Sequence, residues 1–78
     1  MGLIKARHEA IEMTSRRYQF FPRTFQWHGR CYNVEYVSRC WTTESRGYMN
    51  RHYFEVNCTE GKFVVWQDLS GNTWHIEV

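Results

Sequence analysis

Apolar and polar positions alternate along much of this chain, and the alternation changes phase at short polar breaks. In "FQWHGRCYNVEYV", residues 25–37, rings and valines recur at every second position on either side of His28-Gly29. A period of two marks a strand with one buried face. Side chains swap faces at each residue, so loop length decides which rings of a hairpin meet. A two-residue loop at His28-Gly29 pairs Trp27 with Arg30 and Phe25 with Tyr32. Phe25, Trp27, Tyr32, Val34 and Tyr36 then share one face. A three-residue loop would set Phe25 opposite Asn33 and divide that set. Gly29 supplies one positive-φ position of the shorter turn, and His28 tolerates the other at some cost. The shared face is first of all a core.

The same test organises residues 51–78. "RHYFEVNC", "TEG" and "KFVVWQDL" read as strand, turn and strand. A three-residue loop at Thr59-Glu60-Gly61 pairs Val56 with Val64 and Phe54 with Trp66. A second one at Ser70-Gly71-Asn72, with Asn72 in the left-handed position, pairs Trp66 with Ile76. Phe54, Val56, Val64, Trp66, Trp74, Ile76 and Val78 then share a face, and Phe63 and Val65 point away.

The expected fold is mainly β: a small antiparallel barrel or strongly bent five-stranded sheet, built from a hairpin and a three-stranded meander. Residues 42–50 carry turn residues without periodicity and read as the longest internal loop. Residues 3–13 fit a short helix or a strand. Pro22 marks entry into the first hairpin. The expected division is an N-terminal extension over 1–21 and one β domain over 22–78.

Composition changes one part of this picture. Leu, Ile, Val and Phe supply only about a fifth of the 78 residues, close to the level of disordered chains. Four Trp and five Tyr make up for that shortage, because each large ring buries about 150–250 Å². The core is aromatic. Length allows one domain and no second core.

Charge is small overall, +2, but unevenly placed. Residues 1–51 hold nine of the ten Lys and Arg against four acids, a net +5, and residues 52–78 carry −3. Eight of the ten are Arg, whose planar fork suits phosphate and carboxylate. Three cysteines, Cys31, Cys40 and Cys58, make an odd count and a poor disulfide framework. The first residues lack the apolar run of a signal peptide, and no window reaches the ~18 apolar residues of a membrane span. A reduced, cytoplasmic protein without membrane contact is expected.

Phe25, Trp27, Gly29, Arg30, Tyr32 and Val34 form Phe-x-Trp-x-Gly-Arg-x-Tyr-x-Val. Trp41 follows, then Tyr53-Phe54-Glu55-Val56, and the chain closes on Asp68, Trp74 and Ile76. Over residues 22–78 this pattern resembles a family of small bacterial domains of unknown function. Some members are similar to the C-terminal tail of proteins resembling Y-family DNA polymerases. The chain departs from the pattern at His28, where a basic residue is more usual. The resemblance implies a DNA-maintenance setting and lends no catalytic residue.

Candidate chemistry narrows further. His28 and Cys31 have ligand-like spacing, but zinc sites need paired close ligands, so neither metal nor other cofactor is expected. No nucleophile elbow or phosphate-cradling Gly-rich loop is present, and the eight carboxylates are scattered. The chain reads as a binding module and not as an enzyme. One reading is nucleic-acid binding, for which Arg16, Arg17 and Tyr18 belong with the candidate contacts Arg23, Arg30, Arg39, Arg46, Tyr48 and Arg51. The other is a protein-interaction or assembly module, presenting Phe20 and Phe21 of "YQFFPRTF" to a protein partner. The plainer role for the two rings is to close one end of the barrel. The oligomeric state stays open at this point.

Overall fold

The computed structural model describes residues 7–78, without the side chains of Ser45 and Tyr48. It contains six strands: β1 (His8–Arg17), β2 (Phe21–Trp27), β3 (Arg30–Ser45), β4 (Tyr48–Cys58), β5 (Gly61–Asp68) and β6 (Thr73–Glu77). Each pairs antiparallel with its chain neighbour, and β1 pairs with β6 to close a barrel. The expected small antiparallel barrel is present, with a sixth strand where the sequence left a helix or strand open. The first part of 3–13 lies outside the described residues. From His8 onward it is strand, and β1 bridges β2 and β6. Among the described residues, His8–Arg17 of the expected extension form a stave of the barrel.

The first hairpin has the expected register. Phe25 faces Tyr32 and Trp27 faces Arg30, with His28 at φ 53 and Gly29 at φ 71 in the two-residue turn. Beyond Val34 the alternation fails for a local reason. One extra residue, Glu35, sits between the pairs Val34–Cys58 and Tyr36–Asn57, and Ser38 is a second such insertion. A bulge of this kind flips every later side chain. Tyr36 turns out to solvent and Val37 turns in against the core.

Residues 42–50 are not a loop. They form the far end of the β3–β4 hairpin around Arg46 (φ 54) and Gly47 (φ 87), the same left-handed pairing used at His28-Gly29.

In the meander, both expected loop lengths miss by one residue. Cys58 pairs with Gly61 across Thr59 and Glu60, so Val56 faces Phe63 and Phe54 faces Val65. Asp68 pairs with Thr73 across a four-residue loop in which Asn72 is left-handed, at φ 54. The two errors cancel for β6: Trp74 and Ile76 point inward as expected. They do not cancel for β5, where Val65 and Phe63 join the core and Val64 and Trp66 face outward.

The core gathers Phe25, Tyr32, Phe54, Val56, Cys58, Val65, Trp74 and Ile76. Phe20 and Phe21 pack edge-on against Phe54, at 5.2 and 6.0 Å between ring centres. Both rings pack against the core and keep only part of their surface free. No helix among the described residues is long and apolar enough to cross a membrane.

Candidate nucleic-acid interface

β2 and β3 are paired only from Thr24–Asn33 to Trp27–Arg30. On the far side of that seam the strands part, because β2 stays with β1 while β3 follows β4. The parting leaves a pocket of about 250 Å³. Its floor is Phe21, Pro22, Val34 and Val37, and its rim is Arg17, Tyr18, Arg23, Glu35 and Tyr36. Pro22 contributes to the split, since it has no N–H with which to extend a ladder.

The rim rings are free. Tyr18 is 84% exposed and Tyr36 is 60% exposed. Tyr18 sits in the β1–β2 turn, where it and Gln19 both take φ 56 and Phe20 N donates to the Arg17 carbonyl at 3.0 Å. Left-handed backbone at two consecutive residues other than Gly stores strain beside the pocket. Among the described residues, no carboxylate lies within ion-pairing distance of Arg17 or Arg23. The one acid on the rim, Glu35, accepts a hydrogen bond from Thr59 at 3.4 Å.

A second arrangement occupies the barrel's outer wall. Trp41, Tyr53, Trp66 and His75 stand directly opposite one another across β3, β4, β5 and β6. Their ring centres lie 5.2, 5.9 and 4.1 Å apart in that order. Arg39 lies 5.2 Å over the Trp41 ring and Arg51 lies 4.0 Å over Trp66, both in cation–π range. Arg51 also donates to the Tyr53 hydroxyl at 3.0 Å. Trp66 is thereby covered to 2% exposure although it points out of the barrel. Among the described residues, neither the Trp66 indole N–H nor His75 Nδ1 has a hydrogen-bond partner.

The candidate arginines therefore do not form one groove. Arg23 lies on the pocket rim. Arg39 and Arg51 cover the aromatic row, and the acids Glu55 and Asp68 are their cross-strand neighbours. Arg46 lies in the β3–β4 turn and Tyr48 begins the strand after it, and Arg30 sits at the other hairpin tip beside Trp27. The sequence singled out Tyr18 as a free ring but placed Tyr36 in the core, because nothing in the alternation announces a bulge. The aromatic row was missed through the β5 register. A two-residue Thr59-Glu60 turn would have set Tyr53 opposite Trp66.

Titratable groups follow their surroundings. Hydrogen bonds from Trp27 and His28 hold the Glu9 carboxyl below its ordinary range. Bonds from the Ser70 hydroxyl and amide do the same for Asp68. Burial pushes the Cys58 thiol up to about 11 and lowers His75. Among the described residues, no three His, Cys, Asp or Glu side chains gather as a metal-holding group. Comparisons of the chain with family models, with curated proteins and with solved structures found no match.

Proposed function

We propose that this domain is a non-enzymatic binding module for single-stranded nucleic acid, engaged at the split between β2 and β3. One observation carries the reading: two exposed tyrosines and two arginines, without carboxylate partners among the described residues, rim a single apolar-floored pocket. Flexible strands are held by this combination, with bases stacked on rings and phosphates met by Arg. Tyr18 and Tyr36 provide the faces, and Arg17 and Arg23 the charge. Arg16, exposed at the end of β1, adds to the same field. The likeness to small domains found at the end of Y-family-polymerase-like proteins favours DNA as the strand and the cytoplasm as the setting.

Fluorescence anisotropy with labelled single-stranded DNA and RNA tests this reading. Binding should weaken steeply with salt, with a slope of about −0.7 per phosphate contact on a logarithmic plot. Arg17→Ala and Arg23→Ala should each flatten that slope by roughly one contact. Tyr36→Ala should weaken binding by about 1–3 kcal/mol. Undetectable binding at low salt would remove the proposal.

A second reading rests on the pocket floor. Phe21, Pro22, Val34 and Val37 lie between two strands that are unpaired at this point, which suits an extended apolar peptide. Salt-insensitive binding of a protein partner, lost on Phe21→Ser, would favour that alternative.

A further inference from the structure

The outer aromatic row ends at Trp41, and it ends on an open edge. Among the described residues, no strand pairs with the other edge of β3 beyond Asn33. Open edges are normally blunted by charge, proline or bulges. β3 has a bulge at Ser38, and its ladder with β4 shifts again after Thr43, where the extra residue is Asn50 of β4. Between them, Arg39, Cys40, Trp41, Thr42 and Thr43 pair with β4 without a break. This short segment is regular, contains no proline and carries a single charge.

We propose that a second copy of this chain pairs antiparallel with that segment, about a two-fold axis at Trp41. An antiparallel pair related by a two-fold axis through the sheet keeps outer side chains beside outer side chains. The middle of residues 39–43 is Trp41, so it faces the partner's Trp41, and Arg39 faces the partner's Thr43. Three features of the edge select this occupant. The ring of Trp41 already stacks on Tyr53 at an interplanar angle of 5°, yet stays 37% exposed where the sheet stops. A second Trp41 continues the row across the join, adding the ring contact that it lacks. The one charge is also compatible, since Arg39 meets a hydroxyl and never its own copy. The pairing uses the five residues whose ladder with β4 is unbroken, and the bulge at Ser38 limits it at one end.

Five paired residues on each side bury far less than the roughly 1,200–2,000 Å² of a stable complex, so the dimer is weak. Its dissociation constant is expected between about 10 µM and 1 mM. Sedimentation velocity of the full chain, without nucleic acid, reads it directly and independently of the pocket. The wild type should shift from monomer to dimer across that range. Thr43→Arg, which sets like charges face to face, should weaken the dimer at least tenfold. Thr43→Glu should tighten it, and Arg39→Glu combined with Thr43→Arg should restore it. Far-ultraviolet circular dichroism confirms that each variant is folded. A wild type that stays monomeric at about 1 mM overturns the proposal and leaves the edge to a nucleic-acid strand or another protein. So does a dimer indifferent to Thr43→Arg, or one that the charge exchange fails to restore.

Discussion

Phe25 and Tyr32 lie face to face across the first hairpin, with ring centres 5.2 Å apart and planes 6° from parallel. They meet because two left-handed residues, His28 and Gly29, turn the chain in the fewest possible steps. The stack then supports Trp27, whose ring lies 5.9 Å from Tyr32 and whose indole N–H donates to Glu9 at 2.9 Å. Phe25 is fully enclosed, whereas Trp27 is half-buried. Phe25→Ala should therefore destabilise the fold by about 3–5 kcal/mol, and Trp27→Ala by less. Urea unfolding followed by fluorescence checks the order, and a reversed order would move the centre of the core.

The turn itself predicts a conformational effect without a steric one. A Cβ at Gly29 would meet nothing within 4 Å, but the backbone there has φ 71. Gly29→Val should lose about 1–2 kcal/mol, and Gly29→Asn much less. Equal effects from the two substitutions would mean that the turn relaxes to another geometry.

Strain at the pocket rim gives a prediction of opposite sign. Gln19 holds φ 56 with an ordinary side chain. Gln19→Gly should stabilise the domain by about 0.5–1 kcal/mol, the relieved strain outweighing the chain entropy lost. Thermal melting reads the gain. Because Tyr18 and Arg17 remain in place, nucleic-acid affinity should fall only if the strain holds the tyrosine in its binding position.

Acid should loosen the barrel through His75. Burial first, and then the neighbouring His8, lowers the His75 pKa below its ordinary value. The unfolded chain then binds the proton more readily than the folded one does. Stability from this site is present above the ordinary histidine value of about 6.5 and is lost as pH falls through it toward the lower folded value. The melting temperature should drop as pH falls through about 6.5, and His75→Gln should flatten that drop. An unchanged slope in the variant would assign the effect elsewhere.

The three thiols should separate by reactivity. Cys31 and Cys40 are exposed, while Cys58 is buried with its pKa raised to about 11. At about pH 8 its thiolate fraction is on the order of one in a thousand, so a thiol reagent should label two positions in the folded chain and three in denaturant. Rapid labelling of Cys58 in native buffer would show β4 and β5 opening easily.

By itself the sequence determined the class of fold, the register of the first hairpin, the left-handed turn at Asn72 and the inward faces of β4 and β6. Each follows from alternation and turn chemistry within about a dozen residues, where local geometry leaves one arrangement that buries the rings. Tertiary structure decided the rest. The bulges at Glu35 and Ser38 arise because β3 must bend from β2 to β4 around the barrel, and that bend turns Tyr36 out and Val37 in. The β1–β2 turn at Tyr18-Gln19 has no turn-forming residue to announce it, and is held by Phe20 and Phe21 packing on Phe54. Trp66 shows the same limit in the meander. A one-residue change in the β4–β5 turn moves it from the core to the outer wall, where Arg51 and His75 still bury it. The candidate pocket depends on closure as well, since it exists only where β2 and β3 part to join different neighbours.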